Sequence, residues 1–485
     1  MPSGRDYYAI LGVLRDASAD EVRQAYLAAA QRLHPDKNKA AGETELFLDV
    51  QQAYEVLSNP KRRKAYDVTL PKEEIVSRPF THDILYSRPA LVRLSERQLV
   101  YVLFDVKARQ AQSEAPMPPL NLCLVLDRST SMKDAKMDLV KAATFQMLRG
   151  MKPQDTISVV SFSDRAEVVI PTTFISDTHR LEMQIRSILP SGATELFKGL
   201  DAGFHEVQRG NRPGCLSHIV LLTDGHTYGD EEACLELSSR AAAAGIGISV
   251  LGIGSDWNDS FLDQVAGRTG NTSRYVARPQ DIQNYLLEKF RQLTNVFAEE
   301  VVLDASPIEG VRLNYAFRLQ PEPGPIPLDT PLPLGPVLLD AGLSVLFEFV
   351  IEPSLLQPDL LCFLDGRLNV NVTGQSVPLQ PLRVRFERSV SDDPGRDAPV
   401  PSIINALSRL TLYRIQERAR AEVRAGDLEK ASRSLKSLAS NLLLQGERSL
   451  AETVLLEAEH IRQERSFSSA GEKEIKYRTR ALMGK

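Results

Sequence analysis

From Pro119 to about residue 296, strand-length apolar runs alternate with amphipathic helical runs, and this alternation constrains the fold more than any other feature of the sequence. Leu120 to Leu126, Thr156 to Phe162, Glu167 to Ile170, Ser217 to Leu222, Gly247 to Ile253 and Arg274 to Ala277 read as strands. Asp134 to Leu148, His179 to Leu189, Glu195 to Val207, Glu231 to Ala244, Phe261 to Gly267 and Asp281 to Asn295 read as helices. Apolar strands of this kind must be covered on both faces, and helices returning between them make the strands mostly parallel. A doubly wound α/β domain over residues 119–296 is the expectation, with any ligand at the carboxyl ends of its strands.

Three groups of polar residues fall at those ends. Asp127-Arg128-Ser129-Thr130-Ser131 follows the first strand, Thr194 lies in Ser191-Gly192-Ala193-Thr194, and Thr223-Asp224-Gly225 follows Leu222. A small, hard cation such as Mg²⁺ takes about six oxygen ligands in octahedral geometry. Hydroxyls and carboxylates from three loops can supply them and leave a position for an outside ligand. Asp-x-Ser-x-Ser alone is a weak signal, because Ser131 or Asp134 could serve as a helix cap. Three loops in this order along an α/β pattern are not explained by capping. The set Asp127, Ser129, Ser131, Thr194 and Asp224 resembles the metal-ion-dependent adhesion site of von Willebrand factor A-type domains, over roughly residues 119–296. The resemblance implies that Ser129, Ser131 and Thr194 bind Mg²⁺ directly, with Mn²⁺ as the alternative ion. It implies that Asp127 and Asp224 act directly or through water, and that an Asp or Glu of a protein partner completes the shell. His226, two residues past Asp224, reads as a solvated loop residue at the rim of that site.

The first 70 residues follow a helical period instead. Ser18 and Glu21 form a capping box. Val22, Ala25, Tyr26, Ala29 and Leu33 then make an apolar stripe that ends at His34-Pro35-Asp36, where proline forces a turn. A second helix, Glu43 to Leu57, carries Phe47, Val50, Ala53, Tyr54 and Leu57 on one face, and Asn59-Pro60 breaks it before a short basic helix. An antiparallel helical hairpin with a polar loop results. Asp6-Tyr7-Tyr8-Ala9-Ile10-Leu11-Gly12-Val13, His34-Pro35-Asp36-Lys37-Asn38 and Ala53-Tyr54-Glu55-Val56-Leu57-Ser58 resemble a DnaJ-type J-domain throughout. The resemblance implies that His34, Pro35 and Asp36, flanked by Arg23, Arg32 and Lys37, contact a DnaK-type heat-shock chaperone and trigger its ATP hydrolysis. Leu27 and Ala28 stand where such domains commonly carry basic residues, which thins the docking face. Exposed ion pairs are worth only about 0–1 kcal/mol each, so binding can survive that loss. No Gly/Phe-rich segment and no cysteine-rich zinc module follows, so client choice falls to the rest of the chain.

Leu99 to Ala108 alternates Val100, Val102, Phe104 and Val106 against Tyr101, Leu103, Asp105 and Lys107, a strand with one mixed face. After residue 296, apolar runs at 301–303, 312–319, 343–351, 361–372 and 379–388 are separated by Gly- and Pro-rich turns. Pro321, Pro323, Pro325, Pro327, Pro331 and Pro333 make a long loop that cannot be a central strand. Residues 99–118 and 297–390 are therefore expected to form one β-sandwich, with 71–98 as linker. Helices are expected at Ile403 to Arg424, Leu428 to Leu444 and Leu450 to Arg465, within a helical domain of 400–466, and 467–485 reads as a tail. The basic residues of this end read as a solvated face.

The expected fold class is thus multidomain: an all-α J-domain hairpin, an α/β doubly wound von Willebrand factor A-like domain, a β-sandwich and a C-terminal α-helical segment. A length of 485 residues accommodates about three or four such cores. The net charge of −5 gives no support to a nucleic-acid partner or to a charge-driven membrane surface. The opening Met1-Pro2-Ser3-Gly4-Arg5-Asp6 lacks the apolar core of a signal peptide, and no apolar run approaches the ~20 residues of a membrane span. Cys123, Cys215, Cys234 and Cys362 form no CxxC pair, so a cytoplasmic, reducing compartment is the simplest fit. No Ser/His/Asp set and no phosphate-cradling glycine loop stands out, so the chain reads as a binding protein rather than an enzyme. Two further readings are a scaffold whose J-domain only docks, and a metal-assisted hydrolase built on Asp127 and Asp224.

Overall fold

The computed structural model describes residues 7–11, 22–30 apart from 24 and 28, 43–69, 78–109, 118–225, 229–373, 379–393 and 400–484. The chain divides into two compact units, Met1–Arg78 and Pro79–Lys485. In the first, helices Tyr7–Leu11, Glu43–Leu57 and Pro60–Thr69 join helical residues between 22 and 30. Tyr8, Leu11, Val22, Val50, Ala53 and Leu57 form their shared core. Tyr26 stacks on Tyr54 with ring centroids 4.1 Å apart and planes 14° from parallel, which pins the two hairpin helices together. The side chain of Asn59 accepts from the backbone N–H groups of Lys61 and Arg62, while Pro60 starts the last helix where its missing N–H leaves no bond unmade. Arg32, His34, Pro35, Asp36 and Lys37 lie outside the described residues.

The second unit opens with strands β1 (Phe80–Tyr86), β2 (Leu91–Val92) and β3 (Gln98–Ala108). It then builds an α/β layer from β4 (Leu120–Asp127), β5 (Thr156–Phe162), β6 (Ala166–Phe174), β7 (Leu216–Thr223), β8 (Ile246–Ile253) and β9 (Ser273–Val276). The chain returns for β10 (Val296–Pro307), β11 (Val311–Gln320), β12 (Gly324–Pro325), β13 (Leu332–Leu338), β14 (Leu343–Ile351), β15 (Leu360–Val372) and β16 (Leu382–Ser391). The α/β sheet has the order β6-β5-β4-β7-β8-β9, parallel except for β6. Helix Leu196–Gly210 lies very close to β4, because a Cβ on Gly203 would stand 2.4 Å from Val125 Cγ2. Two five-stranded sheets, β1-β3-β14-β11-β12 and β13-β10-β15-β16-β2, form the sandwich with strands from both sides of the α/β domain. The proline-rich stretch does contribute strands, but β12 and β13 are both edge strands, where a missing N–H can face outward.

Two expected boundaries move. Residues 80–86 and 91–92 of the segment expected as linker are strands: β1 pairs with β3 from Phe80↔Ala108 to Tyr86↔Val102, and Phe80 and Leu91 are buried in the sandwich core. The expected tail contains a fourth C-terminal helix, Ser469–Leu482, after helices Pro401–Arg424, Leu428–Leu444 and Arg448–Glu464. This helix buries Lys473, Lys476, Tyr477, Thr479 and Arg480, so its charges are interior rather than solvated. Arg480 forks onto both oxygens of Asp263 at 2.9 and 2.6 Å, and Lys476 reaches Asp259 and, at 2.8 Å, Asp263. Arg420 adds contacts to Asp259 at 3.3 and 3.0 Å, and Arg414 reaches Glu348 of β14 at 2.6 Å. Leu103 and Phe317 on the outer sandwich face pack on Ile403, Leu410 and Tyr413, which is why β3 shows a mixed face. The C-terminal helices thus bind the sandwich and the α/β domain into one body.

Candidate metal centre

Leu126 of β4 lies opposite Leu222 of β7 in parallel register, so Asp127 and Thr223 end their strands side by side. Thr223 Oγ1 donates to Asp127 Oδ2 at 2.7 Å, and the Ser129 N–H donates to Asp127 Oδ1 at 2.8 Å. Both oxygens of this fully buried carboxylate are therefore satisfied from its own surroundings. Burial still holds the Asp127 carboxyl above its ordinary range, against the hydrogen bonds from Ser129 and Thr223. One residue further along, Asp224 has 3% of its surface exposed and turns toward the serines.

The hydroxyls converge on Asp224. Ser131 Oγ donates to Asp224 Oδ1 at 2.6 Å, Ser129 Oγ lies 3.4 Å from the same atom, and the two serine oxygens are 3.0 Å apart. Neither of the two helical segments that follow is capped by these side chains: Ser129 and Asp134 sit at their N-cap positions and neither makes a capping hydrogen bond. Capping therefore does not account for Asp-x-Ser-x-Ser here. The third loop is tied to the first by Ser191 N–H to Arg128 O at 2.6 Å, Thr130 N–H to Gly192 O at 3.1 Å and Arg128 Nη1 to Ser191 Oγ at 2.5 Å. That brings Thr194 against the β7 loop, where a Cβ on Gly225 would stand 2.8 Å from Thr194 Oγ1. Glycine at 225 lets the two loops close.

These oxygens fit a small cation. Ligands at right angles around Mg²⁺, each about 2.1 Å from it, are about 3.0 Å apart, and the separations of 2.6, 3.0 and 3.4 Å among Ser129, Ser131 and Asp224 bracket that value. The set is all oxygen with two carboxylates, which suits a hard divalent ion. Among the described residues no cluster of three or more His, Cys, Asp or Glu side chains offers an alternative metal set.

Sequence reasoning missed Lys136. Its Nζ lies 2.6 Å from Asp224 Oδ2 and 3.1 Å from the Ser131 carbonyl oxygen. The available signal was a lysine in the first turn of helix Ala135–Gly150, where the helix dipole disfavours positive charge. Thr223 was also missed as a partner of Asp127. Of the expected chaperone-facing residues, Arg23 is exposed on the described helix, and His34, Pro35, Asp36, Arg32 and Lys37 fall outside the described residues. His226 does as well.

Three segments of the chain match known families. Residues 6–67 match the DnaJ domain, 121–296 the von Willebrand factor type A domain, and 401–485 the Sll0103-like, C-terminal alpha-helical domain. A Synechocystis sp. protein named "Uncharacterized protein sll0103" is 26% identical over 355 residues, spanning 71% of this chain and 83% of that protein. The chaperone protein DnaJ of Trichormus variabilis is 54% identical over 63 residues, which are 13% of this chain and 17% of that protein. The likeness to DnaJ is thus confined to the J-domain. A solved structure, "von Willebrand factor type A from Catenulispora acidiphila", covers 83% of this chain and 96% of its own with a TM-score of 0.64. At 16% identity that is a likeness of fold.

Proposed function

We propose that this chain, a J-domain joined to a von Willebrand factor A domain, is a cytoplasmic co-chaperone that brings a DnaK-type chaperone to a protein held through Mg²⁺. A J-domain of this kind supports a co-chaperone role, and an A-type domain supports binding of another protein. The observation that carries the finer reading is the convergence of Ser129, Ser131 and Asp224 oxygens within 2.6–3.4 Å, beside Asp127 and Thr194. In this reading Ser129, Ser131, Thr194, Asp127 and Asp224 hold the ion, directly or through water. The ion supplies Lewis acidity for a partner's carboxylate. Around it, Thr223 and the Ser129 N–H fix Asp127, and the loop contacts from Arg128 and Thr130 hold the third loop in place. His34, Pro35 and Asp36 meet the chaperone, with Arg23, Arg32 and Lys37 steering the approach. Mn²⁺ is the alternative ion. Among the described residues no helix is long and apolar enough to cross a membrane.

Two variants of the full chain test the two halves separately. His34→Gln should abolish stimulation of a DnaK-type ATPase and leave capture of the partner intact. Asp127→Ala should do the reverse: its captured proteins should match those that wild type retains in EDTA, with ATPase stimulation unchanged. Normal stimulation by His34→Gln would remove the co-chaperone claim. A capture identical in Mg²⁺, in EDTA and with Asp127→Ala would remove the metal claim. The exposed Leu27, 50% accessible at a position commonly basic, favours one second reading, a scaffold whose J-domain docks without stimulating. Failure of the wild-type chain to accelerate ATP hydrolysis would select it.

A further inference from the structure

The Asp224 carboxylate is divided. Its Oδ1 faces the hydroxyls of Ser131 and Ser129, and its Oδ2 is held by Lys136 Nζ at 2.6 Å. Lys136 is anchored on the far side by the Ser131 carbonyl oxygen at 3.1 Å, so the ammonium bridges two of the three elements that build the site. The Asp224 side chain has no exposed surface and that of Lys136 is 27% exposed. Two buried carboxylates this close would be costly without a counter-charge. Lys136 supplies one from within the chain.

We propose that Lys136 is a built-in counter-ion of the metal centre, which lowers its affinity for the divalent cation and raises the affinity of the loaded centre for an acidic ligand. The inference rests on the metal reading above and deepens it. Counting unit charges, Asp127, Asp224 and Lys136 sum to −1. A divalent cation takes the loaded centre to +1. Without Lys136 the same centre starts at −2 and ends at zero. The ammonium therefore works against the cation and for an incoming carboxylate, and removing it should move the two affinities in opposite directions. Even at near-water dielectric, a unit charge about 5 Å from a divalent ion changes its binding by about tenfold.

The test titrates the full chain with Mn²⁺, reading free ion by electron paramagnetic resonance, and then titrates the Mn²⁺-loaded protein with acetate, reading water-proton relaxation. Lys136→Gln should bind Mn²⁺ at least about tenfold more tightly than wild type and bind acetate more weakly. Lys136→Arg keeps the charge and should stay within about threefold of wild type on both. In EDTA, Lys136→Gln should melt below wild type, and Mn²⁺ should restore it by more than it stabilises wild type. If Lys136→Gln leaves Mn²⁺ affinity unchanged while Asp127→Ala destroys it, the counter-ion role is wrong and the metal centre stands. Should Lys136→Arg and Lys136→Gln shift alike, the lysine acts through packing and the inference falls. If neither wild type nor Lys136→Gln binds Mn²⁺, the metal reading and this inference fall together.

Discussion

Asp263→Asn isolates what holds the last helix in place. In the wild type, Arg480 grips both Asp263 oxygens at 2.9 and 2.6 Å, and Lys476 lies 2.8 Å from the same carboxylate. Burial alone would raise this carboxyl, but the charges of Arg480 and Lys476 overrule it and hold Asp263 below the ordinary carboxylate range. The Arg480 and Lys476 side chains are each only 4% exposed. Lys476 keeps Asp259 as a partner in the variant, but Arg480 loses its fork and becomes a buried charge without an anion. Removing one member of a buried pair costs about 3–5 kcal/mol, and the asparagine oxygen can still accept one bond, so the lower end applies. At 1.4 kcal/mol per power of ten, helix Ser469–Leu482 should open about a hundredfold more often. Hydrogen exchange, expressed as protection factors for amides 469–482 of the full chain, reads this directly. Combining Asp263→Asn with Arg480→Met should return most of the lost protection, because no unpaired charge then remains. The pH dependence follows the same sign: a carboxyl lowered in the folded state stabilises above its unfolded value near 3.9, and that stability drains as pH falls below it. A change under threefold in Asp263→Asn, at unchanged fold, would refute the electrostatic account of this interface.

Glu299 carries the opposite sign. Burial, helped by Glu300, pushes its carboxyl up to about 8 in the folded state, so the folded chain is progressively disfavoured as pH rises from the ordinary value of 4.5 toward 8. Glu299→Gln should therefore raise the melting temperature near pH 7.5 and change it little near pH 4.5; equal shifts at both would contradict this. Gly225→Ala should weaken Mn²⁺ binding by about tenfold or more without unfolding the domain, because its Cβ would press on Thr194 Oγ1 at 2.8 Å. Calorimetric titration beside a melting curve checks both halves, and wild-type affinity would show that the third loop can yield.

Periodicity carried most of the architecture. The six strands of the central sheet and their helices stand within a few residues of the sequence reading, because the inner strands, apolar on both faces, allow little else. The prolines between 321 and 333 gave the correct exclusion from central strands while hiding two edge strands. Residues 80–92 read as linker because β1 exposes part of its surface and β2 is two residues long, leaving only apolar runs too short to mark a strand. The fourth C-terminal helix was invisible for another reason. Lys473, Lys476 and Arg480 share its interior with Ile475, Tyr477 and Leu482, which breaks the apolar stripe, and charges are normally counted as surface. Their spacing of three and four residues is helical, and Asp259 and Asp263 repeat at four on the partner helix. That match is visible only once the two helices are known to meet.

The candidate metal centre divides the same way. Asp127, Ser129, Ser131, Thr194 and Asp224 could be found from the sequence because each must stand at a strand end or in a fixed short motif, and the parallel register of β4 and β7 then brings them together. Lys136 could not be found so, since nothing in a motif says which of several nearby bases turns inward; Lys133, Lys136 and Lys141 all follow Ser131 within ten residues. What selects Lys136 is its place on the first helical turn, one step from the Ser131 carbonyl and facing Asp224. At this site apolar pattern fixed where the elements go, whereas the C-terminal helix escaped even that, and in both places the pairing of individual charges decides what is held together. Periodicity read from sequence does not reach such pairings, because an ion pair depends on two positions that share no local rule.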